Sequence, residues 1–191
     1  MAYNDQEIEL KLPLAPEQYR QIRVKLIKKT KFIKSSHHID DYYTPKHKSF
    51  LEPKYPYEWL TLRKRDGKVL LNYKHWYPEN TKFTTHCDEY ETEISSYEST
   101  RKMLKALNFE KIISVNKKRD VFEYKSDLEI ALDEVLGLGH FIEVEAIKDF
   151  GSVDKARKEI LKFTGSLGLK RTKTVPGGYA AELMRRRKLL S

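Results

Sequence analysis

Charged and apolar residues alternate strictly along Glu7-Ile8-Glu9-Leu10-Lys11-Leu12, the period-two pattern of a strand with one polar and one apolar face. The same alternation predicts strands over residues 57–64 and 69–77, separated by Arg65-Asp66-Gly67-Lys68, whose Asp-Gly pair signals an antiparallel hairpin. It returns at 87–94, 112–124, 128–135 and 141–145, and a short strand is read over 38–43. Helical spacing of Tyr19, Ile22, Leu26 and Ile27 after Pro16 predicts a helix over 16–29. A second helix carries Tyr97, Met103, Leu104 and Leu107 on one face and ends near Asn108. Two more are read over 153–167 and from about 179 to 190. Residues 44–57 hold Pro45, Pro53 and Pro56, so they are read as a loop, a candidate for the mouth of a substrate site.

Few strands are separated by a helix, so the sheet is expected to be mainly antiparallel and the class α+β. A chain of 191 residues suggests a single domain. No apolar run approaches the ~20 residues of a membrane helix, and the start of the chain lacks the basic and apolar regions of a signal peptide, so a cytoplasmic location is expected. The lone Cys87 excludes an internal disulfide and offers no cysteine metal site. The formal charge of +9 admits nucleic acid, an anionic membrane surface or a small polyanion held within the fold. The acidic stretch Asp88–Glu93 argues against one uniformly positive surface. The basic run Arg185–Lys188 is read as a solvated helix face.

Residues two apart in a strand share a face, which groups Glu7, Glu9 and Lys11. Arg63 with Arg65, Glu89 with Glu91 and Glu93, Lys117 with Arg119, and Glu143 with Glu145 repeat that spacing on other strands. A solvated face explains any one of these, and their recurrence points instead to charged faces gathered around a ligand. Buried unpaired charge costs several kcal/mol. A divalent cation on glutamate oxygens and a phosphate chain on Arg and Lys would together relieve that cost. No Gly-rich phosphate loop is present, so binding would rest on side chains.

Glu7-x-Glu9-x-Lys11 resembles the signature of the CYTH superfamily, the triphosphate tunnel metalloenzymes. Leu62-Arg63-Lys64-Arg65, Tyr73-Lys74, Glu91-x-Glu93, Lys117-x-Arg119 and the block from Leu132-Asp133 through Gly137-x-Gly139-x-Phe141-x-Glu143-x-Glu145 follow in the family's order. The resemblance implies a closed eight-stranded antiparallel β-barrel, with helices packed outside a tunnel. It assigns Mg²⁺ or Mn²⁺ to Glu7, Glu9, Glu143 and Glu145, and the triphosphate to Lys11, Arg63, Arg65, Lys74, Lys117 and Arg119. Of these, Lys11, Arg63, Lys117 and Arg119 would act in catalysis. Glu91 and Glu93 would assist at the substrate or pair with tunnel bases. Asp133 is read as orienting a base, touching metal or capping a turn. Lys64 and Lys118, one residue out of phase, should face outward.

The order of motifs most resembles the class IV adenylate cyclase branch, which converts ATP to cyclic AMP and pyrophosphate. Related members hydrolyse thiamine triphosphate, inorganic triphosphate or RNA 5′-triphosphate ends, so a triphosphatase is the alternative. A non-catalytic binder of polyphosphate or RNA is the third reading. The expected partner is a nucleoside or other organic triphosphate, with no membrane and no nucleic acid beyond a 5′-triphosphate end. Apolar helix stripes would serve either a homodimer or the cover of the barrel. Either Asp41 with Tyr43 or Asp40 with Tyr42 would border the tunnel. His37 and His38 lack a zinc-ligand pattern, and Tyr179 is read as packing its helix or closing a tunnel mouth.

Overall fold

A computed structural model describes residues 6–169 and 177–190. Nine strands and four helices run in the order β1 (Gln6–Glu7), β2 (Glu9–Leu14), α1 (Pro16–Lys29), β3 (Lys31–Pro45), β4 (Glu58–Arg65), β5 (Lys68–Tyr77), β6 (His86–Glu93), α2 (Tyr97–Ala106), β7 (Phe109–Tyr124), β8 (Leu128–Val135), β9 (Gly139–Ala146), α3 (Val153–Ser166) and α4 (Gly178–Arg186). The chain divides into two compact units, one built on residues 37–116 with the segment from 176, the other on 7–36 and 117–175.

In the first unit the strand order is β6-β5-β4-β3-β7, and β3–β4, β4–β5 and β5–β6 are antiparallel. The β4–β5 hairpin turns at Asp66 and Gly67, both with positive φ (50° and 78°), the conformation an Asp-Gly pair adopts readily. Tyr43 and Leu62 pack with Leu104 of α2, and Leu60, Val69, Tyr97 and Phe109 surround them. Ser96 caps α2 by accepting from the Ser99 amide. Under this helix, Asp41 is 4% exposed and accepts from the Tyr97 hydroxyl, from Ser114 Oγ at 2.5 Å and from Lys111 Nζ at 2.8 Å. In α4, Tyr179, Ala181, Leu183 and Met184 are buried, so Tyr179 packs its helix. Gly177, just before that helix, has φ 71°, and a Cβ there would lie 2.8 Å from that of Ala181.

In the second unit the order is β3-β7-β8-β9-β2, with β7–β8, β8–β9 and β2–β9 antiparallel. Leu12, Leu14, Phe122, Ile130, Leu132, Ile142 and Val144 form its apolar face, covered by Ile22 and Leu26 of α1 and by Ile160 and Phe163 of α3. On these strands they lie on the face opposite Lys11, Lys117, Arg119, Asp133 and Glu143.

The antiparallel sheet and the helices agree with expectation, and three extents are corrected. The first strand is interrupted at Ile8 and continues to Leu14. The strand read over 38–43 spans Lys31–Pro45; its exposed first half shows no two-faced pattern, and Phe32 against Phe122 and Ser35 against Asp120 tie it to β7. The last helix stops at Arg186, before Lys188 turns to a left-handed φ of 58°. Arg185 and Arg186 pair with Glu182 on a solvated face. No helix among the described residues is long and apolar enough to cross a membrane.

Two outcomes follow from this packing. Phe122→Ala, at a fully buried position, should lower the unfolding free energy by about 4 kcal/mol in a denaturant titration. Burial alone would raise the Asp41 carboxyl, but its Lys111, Ser114 and Tyr97 hydrogen bonds and the Lys111 charge hold it below its ordinary 3.8. Its contribution is thus complete above about pH 4 and lost as pH falls through the depressed folded value. Asp41→Asn should cost roughly 2 kcal/mol at neutral pH and flatten the loss of stability below pH ~4.

Candidate functional site

Each unit carries one face of ionised side chains, and strand register explains which residues meet. In the second unit Lys11 lies opposite Glu143 and Arg119 opposite Asp133, so each cation has a carboxylate as its cross-strand neighbour. Lys11 Nζ sits 2.9 Å from Glu143 and 3.0 Å from Glu9. Arg119 donates to both oxygens of Asp133, at 2.7 and 2.6 Å, and reaches Glu143 at 3.0 Å. Lys117 lies 3.6 Å from Asp133. Burial would push both acids up, but Arg119 and Lys117 keep Asp133 below its ordinary range, and Arg119, Lys11 and Lys117 keep Glu143 well below. Both are therefore carboxylates at neutral pH.

One further row emerges from the same register. Glu123 of β7, Glu129 of β8, Glu145 of β9 and Glu9 of β2 stand directly opposite one another across three successive strand pairs. Spacing alone misses Glu123 and Glu129: Glu123 has Val121 and Lys125 two positions away, and Asp127, two before Glu129, lies in the turn ahead of β8. Among the described residues no three acidic, His or Cys side chains converge as a ready-made metal cage. The oxygen donors of this row and of Glu7 nevertheless suit a hard divalent cation, and Glu9 and Glu143 are at present drawn to Lys11.

In the first unit Asp40 lies opposite Arg63, and Lys74 opposite Glu89. This resolves the parity of β3: Asp40 and Tyr42 share the charged face, whereas Asp41 and Tyr43 lie beneath α2. Arg63, 6% exposed, reaches Glu91 at 2.7 Å, Glu89 at 3.4 Å and Asp40 at 3.8 Å. Burial would lower its pKa, but Asp40 and Glu89 raise it, so it stays charged. Arg65 pairs with Asp40 at 3.5 Å and Lys74 with Glu89 at 3.4 Å. Asn72, fully enclosed opposite Thr61 and Glu91, donates to Glu89 and Glu91 at 2.5 and 3.2 Å. Its place two residues before Lys74 was the available signal.

The buried nitrogens Arg63 Nε, Arg65 Nε and Trp59 Nε1 find no hydrogen-bond acceptor, leaving a donor-rich strip along one face of β4. Beyond Lys74 the face turns aromatic: Tyr42 meets Trp59 edge-on at 5.7 Å, and Lys74 Nζ lies 5.8 Å from the centre of the Trp76 ring. Glu93 is not drawn into the cluster; it pairs at the surface with Lys68 at 2.7 Å. Lys64 and Lys118 are exposed on the opposite faces, as expected, with Lys64 stacked over Tyr97 at 3.8 Å. His37 bonds Asn116 at 2.7 Å, and His38 is buried opposite Arg65.

Comparison with known proteins agrees with this arrangement. A Methanocaldococcus jannaschii protein named "Putative adenylate cyclase MJ0240" is 30% identical over 150 residues, covering 78% of this chain and 82% of the relative. The solved structure of PH1819 from Pyrococcus horikoshii OT3 superposes with a TM-score of 0.77 at 27% identity, over 95% of this chain and 99% of that one. A Hippeastrum protein described as a putative adenylyl cyclase with a dominant triphosphatase activity shares the fold at a TM-score of 0.65 and 17% identity, over 96% and 95% of the two chains. Residues 5–179 match the profile of the CYTH domain, a span that takes in both charged faces, and the chain belongs to that family.

Proposed function

We propose that this chain is a metal-dependent enzyme acting on an organic triphosphate, and specifically an adenylate cyclase forming cyclic AMP and pyrophosphate from ATP. The observation that carries the reading is the balance of charge on each face. Lys11, Lys117 and Arg119 are joined by ion pairs to Glu9, Asp133 and Glu143, and Arg63, Arg65 and Lys74 to Asp40, Glu89 and Glu91. Buried pairs of this kind contribute little net stability against apolar packing, so a ligand-exchange role accounts for them better than a structural one. A triphosphate with its cation offers both partners at once: phosphate oxygens for the bases, metal for the released carboxylates.

Under this reading Glu7, Glu9, Glu143 and Glu145, with Glu129 beside them, would hold Mg²⁺ or Mn²⁺. When bound, the ion would neutralise charge growing on the phosphoryl oxygens. Lys11, Lys117, Arg119, Arg63, Arg65 and Lys74 would grip and orient the phosphates, with the unsatisfied Arg63 and Arg65 Nε–H groups ready to donate. Asp133 would fix the Arg119 fork. In cyclisation the ribose 3′-hydroxyl bonds to the α-phosphorus and loses its proton to solvent, the bond to the bridging oxygen breaks, and pyrophosphate leaves on the bases. Tyr42, Trp59 and Trp76 on the same face as Lys74 favour a substrate with an organic ring over inorganic triphosphate. The name of the 30% identical relative supports cyclisation. The proposal includes one domain running through both units and the closed eight-stranded barrel that the family implies.

Incubation of the protein with ATP and Mg²⁺ or Mn²⁺, with products separated, should give cyclic AMP and pyrophosphate. The product should fall by at least ~100-fold in Glu7→Ala/Glu9→Ala, as removal of an essential electrostatic element implies. ADP and phosphate would replace the cyclase by a triphosphatase. No turnover of ATP, thiamine triphosphate or inorganic triphosphate would leave a binding protein.

A further inference from the structure

A second anion-binding feature lies in the first unit, away from the charged faces. A pocket of about 420 Å³ opens where β3 ends, α2 stops and β7 begins, lined by Tyr43, Lys46, Arg101, Lys105, Phe109 and Lys111, with Asn108 and Glu110 at its rim. Four cations from three elements meet there against one carboxylate of the lining. Three are held in place from outside or from the rim: Lys111 by Asp41 at 2.8 Å, Arg101 by Glu98 at 2.8 Å, and Lys46 by Glu110 at 3.7 Å. Lys105, by contrast, makes no ion pair among the described residues.

The wall beneath the cations is aromatic. Tyr43 is 4% exposed, with the Tyr97 hydroxyl beside its own, and Phe109 is partly buried next to it. The volume exceeds what an inorganic anion fills and falls within the range of small-molecule sites. Four cations and two aromatic rings lining one pocket are the complement of an anion attached to a flat organic group.

We infer that this pocket binds a phosphorylated small molecule of the nucleoside monophosphate class, with its phosphate on Lys105, Lys111 and Arg101 and its ring against Tyr43 and Phe109. The site shares no residue with the charged faces, so its existence does not depend on which reaction those faces carry. It lies on the opposite side of β3 from Asp40: Asp41 anchors Lys111 here while its neighbour Asp40 anchors Arg63 and Arg65. Occupancy therefore bears on a strand that both sites use.

The test is an amide-shift titration of the intact protein with AMP and, separately, inorganic phosphate, followed at Asn108, Phe109, Glu110 and Lys111 at about 0.15 M salt. AMP should shift these amides saturably, at least tenfold more tightly than inorganic phosphate. Arg101→Gln/Lys105→Gln, two exposed helix positions whose loss leaves the core untouched, should weaken AMP at least tenfold. Thermal melting should show the double variant folded. An absence of saturable shifts, unchanged affinity in the double variant, or equal binding of inorganic phosphate would each overturn the assignment.

Discussion

The guanidinium of Arg119, gripped at both oxygens by Asp133 and at a third point by Glu143, organises the chemistry of its unit. A planar fork held at three points has little freedom left, and the strands that carry those carboxylates are fixed to it in register. Lys11 then meets Glu143 from the other side, so one glutamate joins two bases on different strands. Remove the fork and Asp133, fully buried, keeps only the longer 3.6 Å pair with Lys117 among the ion pairs described above. Leu132, Ile142 and Leu12 on the reverse of the same strands supply the apolar burial that makes this polar face affordable.

Such a face is poised between two partner sets. In the ligand-free protein, carboxylates and bases satisfy one another, which prevents the desolvation cost of unpaired charge. A ligand that carries both signs can replace those pairs without leaving either side unmet, whereas a simple anion would strand the glutamates and a simple cation the bases. Under the proposed function, selectivity for a metal-phosphate complex over free phosphate would follow from the pairing itself.

Period-two alternation made most of this visible in the sequence, because charged and apolar residues are sorted onto opposite faces along 9–12, 128–133 and 142–145. Where sorting failed, so did legibility. Residues 31–37 present no distinct faces and become a strand through pairing with β7, a contact distant in sequence. Asp40 and Asp41 are both acidic and adjacent, so only register could show that one serves Arg63 and the other Lys111. Asn72 is uncharged, and the acidic residue two before Glu129, Asp127, lies in the turn ahead of β8, so neither stood out. Glu93 shows the reverse: correct spacing carried it to the surface end of its strand.

The row formed by Glu123, Glu129, Glu145 and Glu9 bears on how this chain would respond to selection for heat resistance. Like charges placed opposite one another across a sheet oppose folding, so neutral replacements along that row would be among the first gains a stability screen rewards. A screen blind to turnover would thus erase the carboxylates in the order of their mutual repulsion. Under the proposed function, heat resistance and cation binding would then pull the same four positions in opposite directions.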